Sequence, residues 1–212
     1  TRFAGNTVAG AAALQFAADL WNVYRIAPHK TENETGNWEF TKGNVAMKYG
    51  GSWEVGKFRQ MDLPFTWDAS SVPSYRGHSA TYLWPETPWG IPSTARNKED
   101  AWRLLKYIAS KEGQEMVAKL GLAMPIRLSV ARSPAFLAQH PPNNIIAFVE
   151  AAMLPRTGIE PSTPGWGEVW SILEGGLVRP VYDGQKAATQ ALNEVESQVN
   201  SRLREVFSTI RR

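Results

Sequence analysis

Trp84 and Trp89 flank Glu86 in a stretch broken by Pro85, Pro88 and Gly90, with Tyr82 just ahead of them. Three rings and a carboxylate in a loop form a recognition set. The rings offer flat faces that stack on the C–H faces of sugars, and Glu86 accepts hydrogen bonds from hydroxyls. The same loop can also hold itself down with its own aromatics, as surface loops do. A second set lies upstream, at Gly50-Gly51-Ser52-Trp53. Backbone at Gly51 can approach a ligand with no Cβ in the way, and Trp53 adds a large ring directly after it. A bend that carries a core aromatic has this same spacing.

Arg127 closes the segment G-L-A-M-P-I-R, residues 121–127. Its guanidinium can donate a fork of hydrogen bonds to sugar hydroxyls or to a carboxylate, or form a structural ion pair. Trp166 and Trp170 are one helical turn apart and share a face, a spacing more common in cores than in clefts. Nine tryptophans in 212 residues favour binding over catalysis.

Catalytic signatures are missing from this pattern. His29, His78 and His140 are scattered, with no spacing that seats a metal, and no cofactor is expected. There is no nucleophile elbow, phosphate loop or dinucleotide fingerprint. Carboxylates are plentiful, so a glycosidase pair remains an alternative, and the chain is otherwise expected not to be an enzyme. Zero cysteines exclude disulfides and thiol catalysis. The 23 basic and 20 acidic residues give a net charge of only +3 without a basic block, so nucleic acid is not an expected partner. No apolar run reaches the length of a membrane span.

The elements that must position these residues are predicted by period and punctuation. Asn6-Thr7 caps a helix with Val8, Ala12, Phe16, Leu20 and Val23 on its apolar face. Val45, Met47 and Tyr49 alternate with Asn44, Ala46 and Lys48, which predicts a half-buried strand that delivers Trp53 at its carboxyl end. Residues 65–69 look like another short strand, and 73–92 like a long loop. Asn97 starts a helix with Ala101, Leu104, Leu105 and Ile108 on one face. Ser110–Leu120 is a second helix, closed by Gly121. Ser133-Pro134 caps a short helix, and residues 143–153 form another. The last helix, from about 185 to 210, carries Ala188, Leu192, Val195, Val199, Leu203, Val206 and Ile210 at intervals of three or four.

Residues 40–53, F-x-x-G-x-V-A-M-x-x-x-G-S-W, resemble the signature of the extracellular solute-binding proteins of ABC importers, in the sugar-binding family that includes maltose-binding protein. G-I-P-S-T-A-R-N-K-E-D-A-W at 90–102, G-L-A-M-P-I-R at 121–127 and the terminal helices continue the resemblance in order. It implies an α/β fold of periplasmic-binding-protein type II, here as the C-terminal half of a two-lobe hinge fold. It also implies a sugar or oligosaccharide captured between lobes, an ABC permease as membrane partner, and a periplasmic or extracellular location, with a lipid anchor possible in the precursor. Under it, Trp170 takes the place of a sugar-stacking tryptophan, while Gly51, Trp53, Tyr82, Trp84, Glu86, Arg127 and Trp166 complete the expected ligand set.

Members of that family are about twice this length. The resemblance therefore implies a fragment whose residues 1–78 and 124–212 belong to the second lobe and whose residues 79–123 return from the first. The helix pair in 79–123 is then expected to expose an apolar face, and the chain to join its missing N-terminal half or self-associate. A protein-interaction fragment without a small-molecule role is the remaining alternative.

Overall fold

A computed structural model describes residues 2–28, 39–75, 81–83, 89–154, 157–159 and 164–210. The chain divides into two compact units, residues 1–38 with 161–212, and residues 39–160.

The first unit is helical. Thr7 has an extended backbone and its hydroxyl accepts the Gly10 N–H at 3.0 Å, which starts helix α1, Val8–Asn22. Its buried residues are Ala11 and Ala18, with Leu14 and Trp21 packed beside them. The face expected from the larger residues is the wrong one, since Val8, Phe16 and Val23 are exposed. Two alanines a double turn apart let a partner helix come close, and that contact outweighs the burial of the bulkier stripe.

The partner helices come from the other end of the chain. Helix α8, Trp166–Leu173, runs into a π-helical turn, Glu174–Val178, and then a short helix α9, Arg179–Tyr182. The long helix α10, Ala188–Ile210, buries Ala188, Leu192, Val195, Val199 and Leu203 of the expected stripe, with Ala191 beside them, while Val206 is only half-buried. Together with Val169, Leu173, Leu177 and Val181 they form the core that α1 covers. Polar ties fix the register of α1. The Trp21 indole donates to the Tyr182 carbonyl at 2.7 Å, with the two rings 4.5 Å apart. Gln15 accepts the Ala188 N–H at 3.0 Å. Burial raises the pKa of the Tyr182 phenol.

The second unit begins with a 3-10 turn, Phe40–Lys42, ended by Gly43 in the left-handed region at φ 76°. The strand expected at 45–49 is not formed. Residues 44–50 carry no ladder, and neither do 65–69. Alternation gives a strand only where a neighbour supplies backbone partners. The second of these segments is held instead by an aromatic cluster. Phe40 meets Phe65 edge-on at 5.2 Å and Phe58 at 5.5 Å, and Phe58 meets Trp67 edge-on at 5.5 Å.

Among the described residues the sheet is one parallel pair, β1 (Thr81–Leu83) with β2 (Thr157–Ile159), Tyr82 facing Gly158 in register. Strand β1 thus lies inside the stretch expected to be all loop. Helix α2 spans Trp53–Gln60.

Helices α3, Lys98–Ile108, and α4, Lys111–Leu120, are capped as expected. Asn97 Oδ1 accepts the Asp100 N–H at 3.1 Å, Ser110 Oγ accepts the Gly113 N–H at 3.1 Å, and Gly121 closes α4 at φ 66°. Beyond them α5 (Leu128–Ala131), α6 (Pro134–Leu137) and α7 (Ile146–Ala152) surround Ala118, Val130, Phe136, Ile145 and Val149. No described residue of α3 is buried. Trp102, Leu104 and Tyr107 stand exposed, as do Met116 and Leu120 of α4, so the helix pair exposes apolar side chains as expected, although Ala101, Leu105 and Ile108 of the expected face are half-buried.

Candidate functional site

Trp53 is the first residue of helix α2 rather than the last of a strand. Its ring lies back over Gly51, where a Cβ would run into the indole, and the residue is 52% exposed. The glycine therefore provides the seat of the ring, a role that the open-backbone reading of Gly51 does not foresee.

Helix α2 is fastened along one face. Ser52 occupies the cap position, yet its hydroxyl does not cap α2 and accepts the Met124 N–H at 2.9 Å instead. One turn on, Gly56 meets Gly121 backbone to backbone, and a Cβ there would strike the Gly121 carbonyl. A further turn on, Arg59 donates Nε to the Pro141 carbonyl at 2.6 Å and Nη2 to the Gln139 carbonyl at 2.8 Å. Partial burial lowers the Arg59 pKa. Residues 52, 56 and 59 recur at helical spacing, so α2 is docked by a polar stripe onto the turn after α4 and the 139–141 loop.

The bond between Ser52 and Met124, 72 positions apart, joins two motifs: G-S-W at 51–53 and G-L-A-M-P-I-R at 121–127. Sequence reading finds both motifs but not the bond, because a serine before a helix is ordinarily its own cap.

Arg127 is placed at the other end of the second motif. Its Nε donates to the Ala109 carbonyl, at the carboxyl end of α3. Beside it, Gln114 is 4% exposed and bridges two stretches of backbone. Its Nε2 donates to the Ile108 carbonyl at 2.9 Å and its Oε1 accepts the Ile126 N–H at 2.8 Å. Sequence reading passes over Gln114, whose only signal is a polar residue on the inner face of a capped helix. Next to Trp53, Glu54 pairs with Lys48, and the Lys48 ammonium lies 5.7 Å from the Phe58 ring centre.

An open cavity of about 290 Å³ lies against Phe40, Val45, Phe65, Trp67 and Asp68, and none of the expected site residues lines it. Asp68 accepts N–H bonds from Ala69 and Asn144, each at 2.8 Å, and these bonds hold its carboxyl below the usual carboxylate range.

Trp166 and Trp170 belong to the first unit, on α8, with ring centres 6.3 Å apart and planes at 41°. Trp166 packs against that unit's core, whereas Trp170 is 45% exposed. Only Trp170 of the pair offers a broad free face. The backbone of Tyr82 lies in β1, and Trp84 and Glu86 fall outside the described residues. Among the described residues, no three His, Asp or Glu side chains converge as a metal site would require, and no helix is long and apolar enough to cross a membrane.

Residues 3–143 match the model of a family described as bacterial extracellular solute-binding protein. An ABC substrate-binding protein from Listeria monocytogenes, solved in complex with cycloalternan, superposes with a TM-score of 0.79 at 19% identity, covering 96% of this chain and 51% of that one. An ABC transporter solute-binding protein from Thermotoga lettingae, bound with alpha-D-tagatose, gives 0.70 at 25% identity, with 95% and 51% covered. The chain thus spans about half the length of these solved relatives. With its matched motifs packed into one joint and its fold shared with periplasmic binding proteins of type II, the chain belongs to the bacterial extracellular solute-binding protein family.

Proposed function

We propose that this chain is part of the solute-capturing component of an ABC importer, working in the periplasm or outside the cell on a sugar or oligosaccharide. The observation that carries the reading is the half-exposed Trp53, seated on Gly51 at the joint between two motifs within the family match. Trp53 and Trp170 serve as stacking platforms, with Trp166 supporting Trp170 from the core side. Tyr82, Trp84 and Glu86 supply further rings and a hydroxyl acceptor, while Arg127 donates to hydroxyls from beside the joint. The chemistry is capture without turnover. Lobe closure excludes water around the sugar, and an ABC permease receives the closed form.

In this reading residues 1–78 and 124–212 belong to the C-terminal lobe and 79–123 to the N-terminal one. The exposed faces of α3 and α4 pair with the remaining half of the protein or with a second copy. The two relatives' sugars give the test. Saturation-transfer NMR with cycloalternan and with tagatose should show transfer from the folded chain, reduced in Trp53→Ala and in Trp170→Ala. If neither sugar receives saturation, or both variants transfer as well as the parent, the proposal fails. Native mass spectrometry reads the pairing, and a monomer stable at all concentrations would refute it.

A further inference from the structure

We propose that Ser52 is a positioning residue for the Trp53 platform. The inference rests on the reading of Trp53 as a solute contact. A hydroxyl at a helix cap has a ready use in its own helix, where orphan N–H groups of the first turn need acceptors. Ser52 gives that up and binds the Met124 N–H, far along the chain. The first turn of α2 is thereby tied to the turn after α4 at the residue just before Trp53.

Gly56 and Arg59 extend the same attachment along the helix, through a backbone contact to Gly121 and bonds to the 139–141 carbonyls. Trp53 lies off this fastened stripe, with its ring laid on Gly51. The ring thus has a backbone floor on one side and a helix whose rotation and height are fixed on the other. A ring held in one orientation before the solute arrives loses less freedom on binding, and Ser52 sets that orientation through the bond to Met124.

The test uses the whole chain labelled with 5-fluorotryptophan, with the Trp53 resonance assigned through Trp53→Phe, and needs no solute. Ser52→Ala should shift or broaden the Trp53 signal while leaving Trp166 and Trp170, in the other unit, in place. Ser52→Thr, which keeps the hydroxyl, should restore the parent signal. Gly56→Ala, which attacks the same attachment at the Gly121 carbonyl, should move the same resonance. If Ser52→Ala leaves Trp53 unmoved, or shifts all tryptophan signals together, the inference is overturned. Adding cycloalternan or tagatose afterwards separates the two claims. Silence of the parent chain toward both sugars removes the solute reading alone. A solute-induced change at Trp53 that survives in Ser52→Ala removes the positioning role.

Discussion

Replacing Gln114 by alanine should destabilise the second unit by about 2–6 kcal/mol. The side chain is almost wholly buried and serves two backbone groups, the Ile108 carbonyl and the Ile126 N–H. Truncation leaves both without this partner in a place that water reaches poorly. A buried donor or acceptor left unmade costs about 1–3 kcal/mol, and two of them set the range. With a urea dependence of about 2 kcal/mol/M, the unfolding midpoint should fall by about 1–3 M. Because the chain has two compact units, amide exchange is the sharper assay: the Ile126 N–H should lose protection before the core amides of Val195 and Val199 in the other unit do. Gln114→Glu keeps the acceptor for Ile126 but sets a carboxylate against the Ile108 carbonyl at neutral pH, so its deficit should shrink as the acid is protonated. A loss below about 0.5 kcal/mol, with Ile126 exchange unchanged, would refute the account of Gln114 as the clamp between α3, α4 and the turn that carries Arg127.

The two tryptophans of α8 should separate stability from binding. Trp166→Ala should cost about 1.5–2.5 kcal/mol, half the range for a fully buried aromatic, whereas Trp170→Ala should stay within about 0.5 kcal/mol in urea unfolding. Asp68 gives a pH dependence with a defined sign. Its carboxyl is held below the unfolded-state value by N–H bonds from Asn144 and Ala69, so its contribution is present above that value and is lost as pH falls through the folded-state pKa. Urea midpoints from pH 6 down to pH 2 should therefore drop more steeply in the parent than in Asp68→Asn, and parallel curves would contradict it.

Local grammar made much of the helical frame readable in advance. Thr7, Asn97, Ser110 and Ser133 each accept a first-turn N–H, and Gly121 takes the left-handed conformation that ends α4. Caps act within a few residues, so sequence shows them directly. What depends on distant partners was not readable. The alternation at 45–49 is real, but without a ladder it stays irregular. Helix α2 hides behind Gly56, a poor helix former that is there because Gly121 needs the space. The inner face of α1 is set by Ala11 and Ala18, which carry less hydrophobic weight than Phe16 or Val23. In the candidate site the residue types were visible in Trp53, Arg127 and Trp170. Their supports, Ser52 and Gln114, were not, since their value lies in bonds to residues elsewhere in the chain.

The first unit is built from two ends of the chain, and this has a consequence for the order of events on the ribosome. Helix α1 is made before the second unit, but α10, against which its alanine face closes, follows only after about 165 further residues, roughly 8–30 s at ordinary synthesis rates. The second unit is contiguous, so it can close while α1 still waits. During that interval Ala11, Leu14, Ala18 and Trp21 have no native cover, and the nascent chain carries an open apolar strip. A holdase that binds such strips has its window there, and it closes when Val195 and Val199 emerge.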